Sequence, residues 1–426
     1  MVVEHTPTMR LLMFPYLAYG HIAPFLEVAK KLSDKDFSID LCSTPINLSF
    51  IKEKIPQKYS SSIQLVEFHL PNLLDLPPHY HTTNGLPLHL QATLYQALMM
   101  DKTQLYQIPK DTKPDVLVHD IMQPWATGVA MSLFWPFPSQ TRVELPFLAL
   151  YLKDYEQKIA HPYEVEVEEE GERIMLVNNS REIDGKKYMD YLSETGGVVI
   201  QDLFNEKDAG DMEEVENIKW LTEKKEHLTV YVSFGSEIFL TKKEMEEVAY
   251  GLELSNVNFL WVVRFPSGEE VKLEEALLEG FLETIGERGR IVEGWAPQTR
   301  ILKHPSTGAF LTHCGWNSTL ESIEFGVPII ALPMNFYSDQ PMNARLIVEI
   351  GVAVEMARDG NGKLHRAYIA ETIRDVIFGE KNGENLRRKV TSLGENIKLL
   401  RDAEMDAVAE VIKQLCEKNR PKNALA

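Results

Sequence analysis

Cysteine is scarce in this chain: Cys42, Cys314 and Cys416 are the three among 426 residues, and none belongs to a C-x-x-C pair. An odd, widely spaced set argues against a disulfide scaffold and against structural zinc, and it suits a reducing compartment. Positive charge is scarce too. Lysine and arginine number 44 against 63 aspartates and glutamates, a formal net charge of −19. Proteins that hold phosphates by counterion release are normally basic, as are proteins that dock on anionic lipid. Neither nucleic acid nor a membrane surface is therefore an expected partner. No apolar run reaches the roughly 18 residues of a membrane span. The short apolar run near the start follows Glu4 and breaks at Gly20-His21, so no signal peptide is expected and the expected location is cytoplasmic. The sequons at Asn47, Asn178 and Asn317 are then chance matches. GxGxxG, GxxxxGK[ST], GxSxG and HExxH are all absent. Their absence argues against dinucleotide oxidoreductases, P-loop kinases, serine hydrolases and zinc proteases. No repeat of fixed period and no low-complexity tract is present. His79, His81 and His89 lie in a polar, Pro-rich loop with no second ligand cluster, which reads as a solvent-facing or acceptor-lining loop and not a metal site.

What is present is length for two or three domains and 44% hydrophobic residues, enough for a core in each of two. Arg10 to Phe14 reads as a buried strand. A loop follows, then a helix with Phe25, Leu26, Val28, Ala29 and Leu32 at helical spacing and Pro24 in its first turn, then a strand from Ser38 to Cys42. Strand, helix, strand is a βαβ unit and implies a parallel sheet. Further strands are expected at Asp115–Val118 and Ile174–Val177. A second series starts near Thr229: strands in TVYVSFGS, NFLWVVR, GRIVEGW, TGAFLTH and VPIIALP, with helices over 242–255 and from Ser318 to Phe325. The stretch from about Asp202 to Glu226 is acidic with little apolar periodicity. The expected layout is a Rossmann-like domain over 1–205, a linker over 206–226, and a second Rossmann-like domain over 227–395. A C-terminal helix over 396–426 would pack back on the first domain. The acidic run from Glu164 to Glu172 reads as a solvated surface segment. In doubly wound folds, ligands sit at the carboxyl ends of the strands.

The richest segment is Trp295–Gln340. A strand delivers His313, Cys314-Gly315 turns the chain, and Asn317-Ser318 open a helix. First-turn N–H groups and the partial positive helix end make a phosphate site, and Gly315 lets backbone come close to a ligand. Two uses of Glu321 compete. It closes an S-x-x-E capping box with Ser318, or it reaches a ribose diol. Trp295 is either core or, with Gln298 in W-A-P-Q, a stacking site for a base. Near the start, His21 lies between strand and helix; it is a helix-start histidine or a general base for a hydroxyl acceptor. Asp120 ends the strand DVLVHD, where its carboxylate would orient that imidazole. His119 and Asp120 are neighbours on a strand and point to opposite faces, so one of them serves, and Asp120 is the choice.

The segment from Trp295 to Gln340 resembles the signature box of plant family 1 UDP-glycosyltransferases. YLAYGHIAPFLEVAKKL, PDVLVHDIMQPWA and VYVSFGSE match as well. The first two of these, with the run SFGSE to ELSNVNFLWVVRFP, look most like the branch-forming subgroup, which extends the sugar of a flavonoid or terpenoid glycoside. The resemblance implies an α/β, GT-B fold, with two Rossmann-like doubly wound domains facing a cleft, the first for the acceptor and the second for the UDP-sugar. It implies an inverting, monomeric UDP-sugar transferase needing no cofactor or metal, whose partners are the donor and a small-molecule acceptor. Carried over, His21 and Asp120 are the catalytic pair. Trp295 stacks on uracil, and Ala296 and Gln298 contact base or ribose. Glu321 holds the ribose hydroxyls. Ser236, His313, Gly315, Trp316, Asn317 and Ser318 surround the diphosphate. Asp339 and Gln340 bind the transferred sugar, and Gln at that place usually goes with glucose. The box is two residues longer than usual before Asp339, and the stretch after Trp125 departs from the family. The alternatives are transfer directly to an aglycone, UDP-sugar epimerisation, and a non-catalytic UDP-sugar-binding protein.

Overall fold

The computed structural model describes residues 9–100, 102–120, 122–123, 175–178, 180–185, 197–200, 212–266, 273–277, 280–334, 339–360, 362–379 and 382–419. The chain divides into two compact units, Met1–Leu203 with Leu400–Ala426, and Phe204–Leu399. The segment after Trp125 and the acidic run at 164–172 lie outside the described residues.

In the first unit, β1 (Met9–Phe14), β2 (Phe37–Ser43), β3 (Ile63–Glu67) and β4 (Val116–His119) form one sheet in the order β3-β2-β1-β4. Every pairing is parallel. Such strands are covered on both faces, which is why β1 reads as an unbroken apolar run. Its Leu11 and Met13 face one hydrophobic cluster, and Leu12 and Phe14 face the other. Helix α1 (Tyr19–Ser33) returns the chain from β1 to β2. It starts five residues before Pro24, not at it. Ala18 is the extended N-cap, and the N–H groups of His21 and Ile22 bond to its carbonyl. Pro24 inside the helix forgoes one bond, to the carbonyl of Gly20. His21 therefore stands in the first turn of a helix. β5 (Met175–Asn178) and β6 (Gly197–Ile200) pair in parallel.

The stretch 206–226, expected as a linker, contains helix α2 (Met212–Thr222), whose buried Leu221 joins the core beside Tyr231 and Phe310. Ile218 and Trp220 pack against the same core, Asn217 is buried and accepts from Arg290, and Glu216 and Lys219 are exposed. Strands β7 (Thr229–Ser233), β8 (Asn258–Val263), β9 (Gly289–Glu293), β10 (Thr307–Thr312), β11 (Ile329–Ala331) and β12 (Ala353–Glu355) form a parallel sheet. Its order is β12-β11-β10-β7-β8-β9. Counted from β7, this is the doubly wound order 3-2-1-4-5-6, with the switch point between β7 and β10. Helix α3 (Lys242–Ser255) spans the residues its pattern predicts. A capping box between Thr241 and Glu244 opens it, and left-handed Asn256 closes it.

Among the further helices of the unit are α4 (Gln298–Lys303), α5 (Trp316–Glu324), α6 (Gln340–Glu349) and α7 (Arg366–Phe378). The helix expected from Ser318 starts two residues earlier, because Gly315 is its cap. The last helix, α8 (Asn382–Asn419), is longer than the expected 396–426 segment at its start. Leu386 packs in the core of the second unit. Met405, Val408, Ala409, Ile412 and Cys416 lie in the core of the first, where Lys35 also pairs with Asp406.

Candidate active site

Because β4 pairs directly with β1, the chain leaving β4 runs beside the loop leaving β1, and Asp120 donates its N–H to the carbonyl of Phe14 at 3.2 Å. This edge is the switch point of the first sheet. Asp120 is 6% exposed. Its Oδ2 lies 2.7 Å from His21 Nδ1, and it also accepts from the Tyr16 N–H at 3.4 Å. Oδ1 accepts from the Met122 N–H at 3.0 Å. Burial acts to raise the carboxyl. The hydrogen bond to His21, the charge of that ring and the two backbone N–H groups outweigh burial and hold Asp120 below the usual carboxylate range. An ionised Asp120 accepts a hydrogen bond from the Nδ1–H, which fixes the tautomer with Nε2 as the basic nitrogen. His21 is 40% exposed, and the Tyr16 ring meets it edge-on at 5.5 Å. The neighbouring His119 directs its Nδ1 at the Asp120 carbonyl, 2.9 Å away. Of the loop histidines, His79 and His89 are exposed, while His81 is buried with Nε2 3.1 Å from the Leu76 carbonyl.

The second cluster lies where β7 and β10 separate. Beyond Thr312, His313 is flanked by two glycines. A Cβ on Gly235 or on Gly315 would come within 2.6 Å of its ring. Gly235 has φ +77, and Cys314, which turns the chain, has φ +66. Burial pushes the His313 pKa down to about 4, so the ring is neutral near pH 7 and keeps one N–H donor. Helix α5 then begins at Trp316, and its first-turn N–H groups are those of Trp316, Asn317 and Ser318. Its cap, Gly315, has no side chain to occupy them. Ser318 is third in the helix, so the S-x-x-E capping box does not form. Glu321 Oε2 instead accepts from Gln298 Nε2 at 2.6 Å, and the same amide reaches Ser318 Oγ at 3.0 Å. Gln298 Oε1 accepts from the Tyr231 hydroxyl at 3.4 Å. Ala296 is buried, Ser236 is half-buried beside Gly235, and Trp295 is 46% exposed.

Asp339 is exposed and stands at the N-cap position of α6, where its side chain makes no cap bond. Its Oδ2 accepts from Asn343 Nδ2 at 2.8 Å, and that amide also donates to the Cys314 carbonyl at 2.9 Å. Gln340 is buried, with Oε1 accepting the Met334 N–H at 3.0 Å. The two-residue lengthening falls in 335–338, outside the described residues. Asn343, Tyr16 and Tyr231 escaped the reading of the sequence. Asn343 had a local signal: it stands four residues after Asp339, one helical turn on. Tyr231 had none, since it sits in an unbroken apolar strand. Among the described residues, no three histidines, cysteines or carboxylates are grouped to hold a metal, and no helix is long and apolar enough to cross a membrane.

Residues 204–393 match the family described as UDP-glucoronosyl and UDP-glucosyl transferase. The chain is 48% identical over 441 residues to a beta-D-glucosyl crocetin beta-1,6-glucosyltransferase of Gardenia jasminoides, covering 95% of this chain and 98% of that one. It is 37% identical over 462 residues to a flavanone 7-O-glucoside 2''-O-beta-L-rhamnosyltransferase of Citrus maxima, covering 98% of this chain and all of the other. The solved structure of Glycyrrhiza uralensis UGT73P12 complexed with glycyrrhetinic acid 3-O-monoglucuronide matches with a TM-score of 0.78 at 22% identity over 96% of both chains. That likeness is one of fold, the GT-B arrangement of two Rossmann-like domains. The parallel sheets, the signature box and the relatives at both ends of the chain lead to one assignment: this is a UDP-glycosyltransferase of plant family 1.

Proposed function

We propose that the enzyme transfers glucose from UDP-glucose, with inversion, to a hydroxyl on the sugar of an existing plant glycoside, giving a β-linked branch. The observation that carries this reading is the 2.7 Å contact between His21 Nδ1 and Asp120 Oδ2, a base with its ring oriented by a carboxylate. His21 Nε2 takes the proton of the acceptor hydroxyl. The oxygen attacks the anomeric carbon from the face opposite the nucleotide, the bond from that carbon to the β-phosphate oxygen breaks, and UDP leaves with the electron pair. Asp120 stabilises the imidazolium. The leaving diphosphate is received by His313, Ser236, Gly315 and the first turn of α5. Trp295 takes uracil, with Ala296 and Gln298 beside it, and Glu321 takes the ribose diol. Asp339 and Gln340 take the sugar hydroxyls. No metal or cofactor has a part in this scheme.

The first unit serves the acceptor and the second the donor. Both relatives named above carry, in their names, acceptors that already bear glucose, which favours the sugar-extending reading. Three buried free thiols suit a cytoplasmic protein. The test is a panel of aglycones and their matched glucosides with UDP-glucose, read by mass spectrometry. Hexose gain on glucosides is the expected result. Gain on aglycones alone moves the enzyme to the aglycone class. UDP-glucose consumed without acceptor supports an epimerase, and UDP binding with no turnover leaves a binding protein.

A further inference from the structure

Arg264 follows β8 at the carboxyl edge of the second sheet, the edge that also carries Ser236 and His313. Its guanidinium carbon lies 5.5 Å from the centroid of the Trp295 ring, within cation–π range. With Phe234, Gly235 and Trp261 it lines a small pocket at this edge. Burial lowers its pKa, yet arginine keeps its proton in proteins, so a largely desolvated charge rests here on an indole face. Trp295 is still 46% exposed, so surface remains for a second planar group.

We infer that Arg264 is a positioning residue for base recognition, holding the Trp295 indole in one plane so that guanidinium and uracil take opposite faces of the same ring. The inference rests on the proposed role of Trp295. An exposed tryptophan that binds a ligand loses side-chain freedom on binding; one already held by a guanidinium has lost that freedom beforehand. The gain lies in the base, not in the phosphates.

Inhibition constants of uridine and of UDP, measured on the whole enzyme, test it. Arg264→Ala should weaken both ligands by the same factor, about three- to tenfold. Arg264→Lys, which keeps a cation over the ring, should restore part of the loss. Arg264→Met keeps the aliphatic stem in the pocket and should match Arg264→Ala, so the test survives if the alanine variant does not fold. Adding Arg264→Ala to Trp295→Ala should cost nothing further. Loss confined to UDP would assign Arg264 to the diphosphate and overturn the inference, as would unchanged constants. If Trp295→Ala itself leaves uridine binding intact, the base site of the proposed function falls and takes the inference with it. A Trp295→Ala defect beside a normal Arg264→Ala overturns the inference alone.

Discussion

His21 Nδ1 and Asp120 Oδ2 stand 2.7 Å apart although 99 residues separate them in the chain. A first-turn helix position and the end of the adjacent strand supply them, so neither depends on a long loop for its placement. His21→Ala should keep UDP affinity and lose about 10²–10⁴ in turnover. Asp120→Asn removes the charge that orients the ring and should lose less, with KM for both substrates little changed. Initial rates and calorimetry check this, and transfer retained by His21→Ala would refute the base assignment.

Glu321 accepts a bond from Gln298, so its carboxylate is already aimed by a neighbour. Glu321→Ala should raise the donor KM about tenfold or more, the size of a lost hydrogen bond to a charged group. The melting temperature should move by only a few degrees. A lowered melting temperature with an unchanged donor KM would return Glu321 to a purely structural part.

The two glycines against His313 should respond differently. Gly315→Ala crowds the ring alone, from 2.6 Å, and an imidazole at the end of a side chain yields cheaply. Donor affinity should fall more than stability. Gly235→Ala adds backbone strain at φ +77, costing about 1 kcal/mol or more. Chemical denaturation of both variants, with UDP titrations, separates the two effects.

His313 sets an acid limit on stability. Its folded pKa of about 4 lies below the roughly 6.5 of an unfolded histidine, so the unfolded chain binds more protons between those values. Stability should fall as pH drops through that window, by about 1–3 kcal/mol from this residue. Asp120 acts lower. Its depressed carboxyl contributes stability that is lost only as pH falls below the normal carboxylate range. Denaturation curves of wild type and His313→Gln from pH 7 to pH 4 test the first statement. An equally steep loss in His313→Gln would contradict it.

Most strands and the amphipathic α3 were legible because period and caps are local; β3, β6 and β12, runs of three to five residues, are too short to show a period and went unread. The strand β4 was off by a single residue. The start of α1 was misjudged because Pro24 suits a first turn, yet a helix tolerates one missing bond near its beginning. α2 hid because its apolar residues, Met212, Val215, Ile218, Trp220 and Leu221, are interspersed with Glu213, Glu214, Glu216 and Lys219 in a stretch whose composition is acidic. His21 and Asp120 were nameable from motif and chemistry. The amide of Gln298, which bonds to Glu321 where a capping box was the alternative, was not, since it depends on the way α4 and α5 meet. Asn343, gripping both Asp339 and the left-handed Cys314, is of the same kind.

The core around β1 is finished by residues 405–416, which follow the whole of β7–β12 in the chain. On the ribosome the opening βαβ unit must therefore wait, with Leu26, Ile39 and Leu41 only partly covered, until those residues have emerged. The second unit can close around β7–β12 before the first does, so the order of maturation runs against the order of translation, and a chain clipped before Met405 would leave its unfinished half for chaperones.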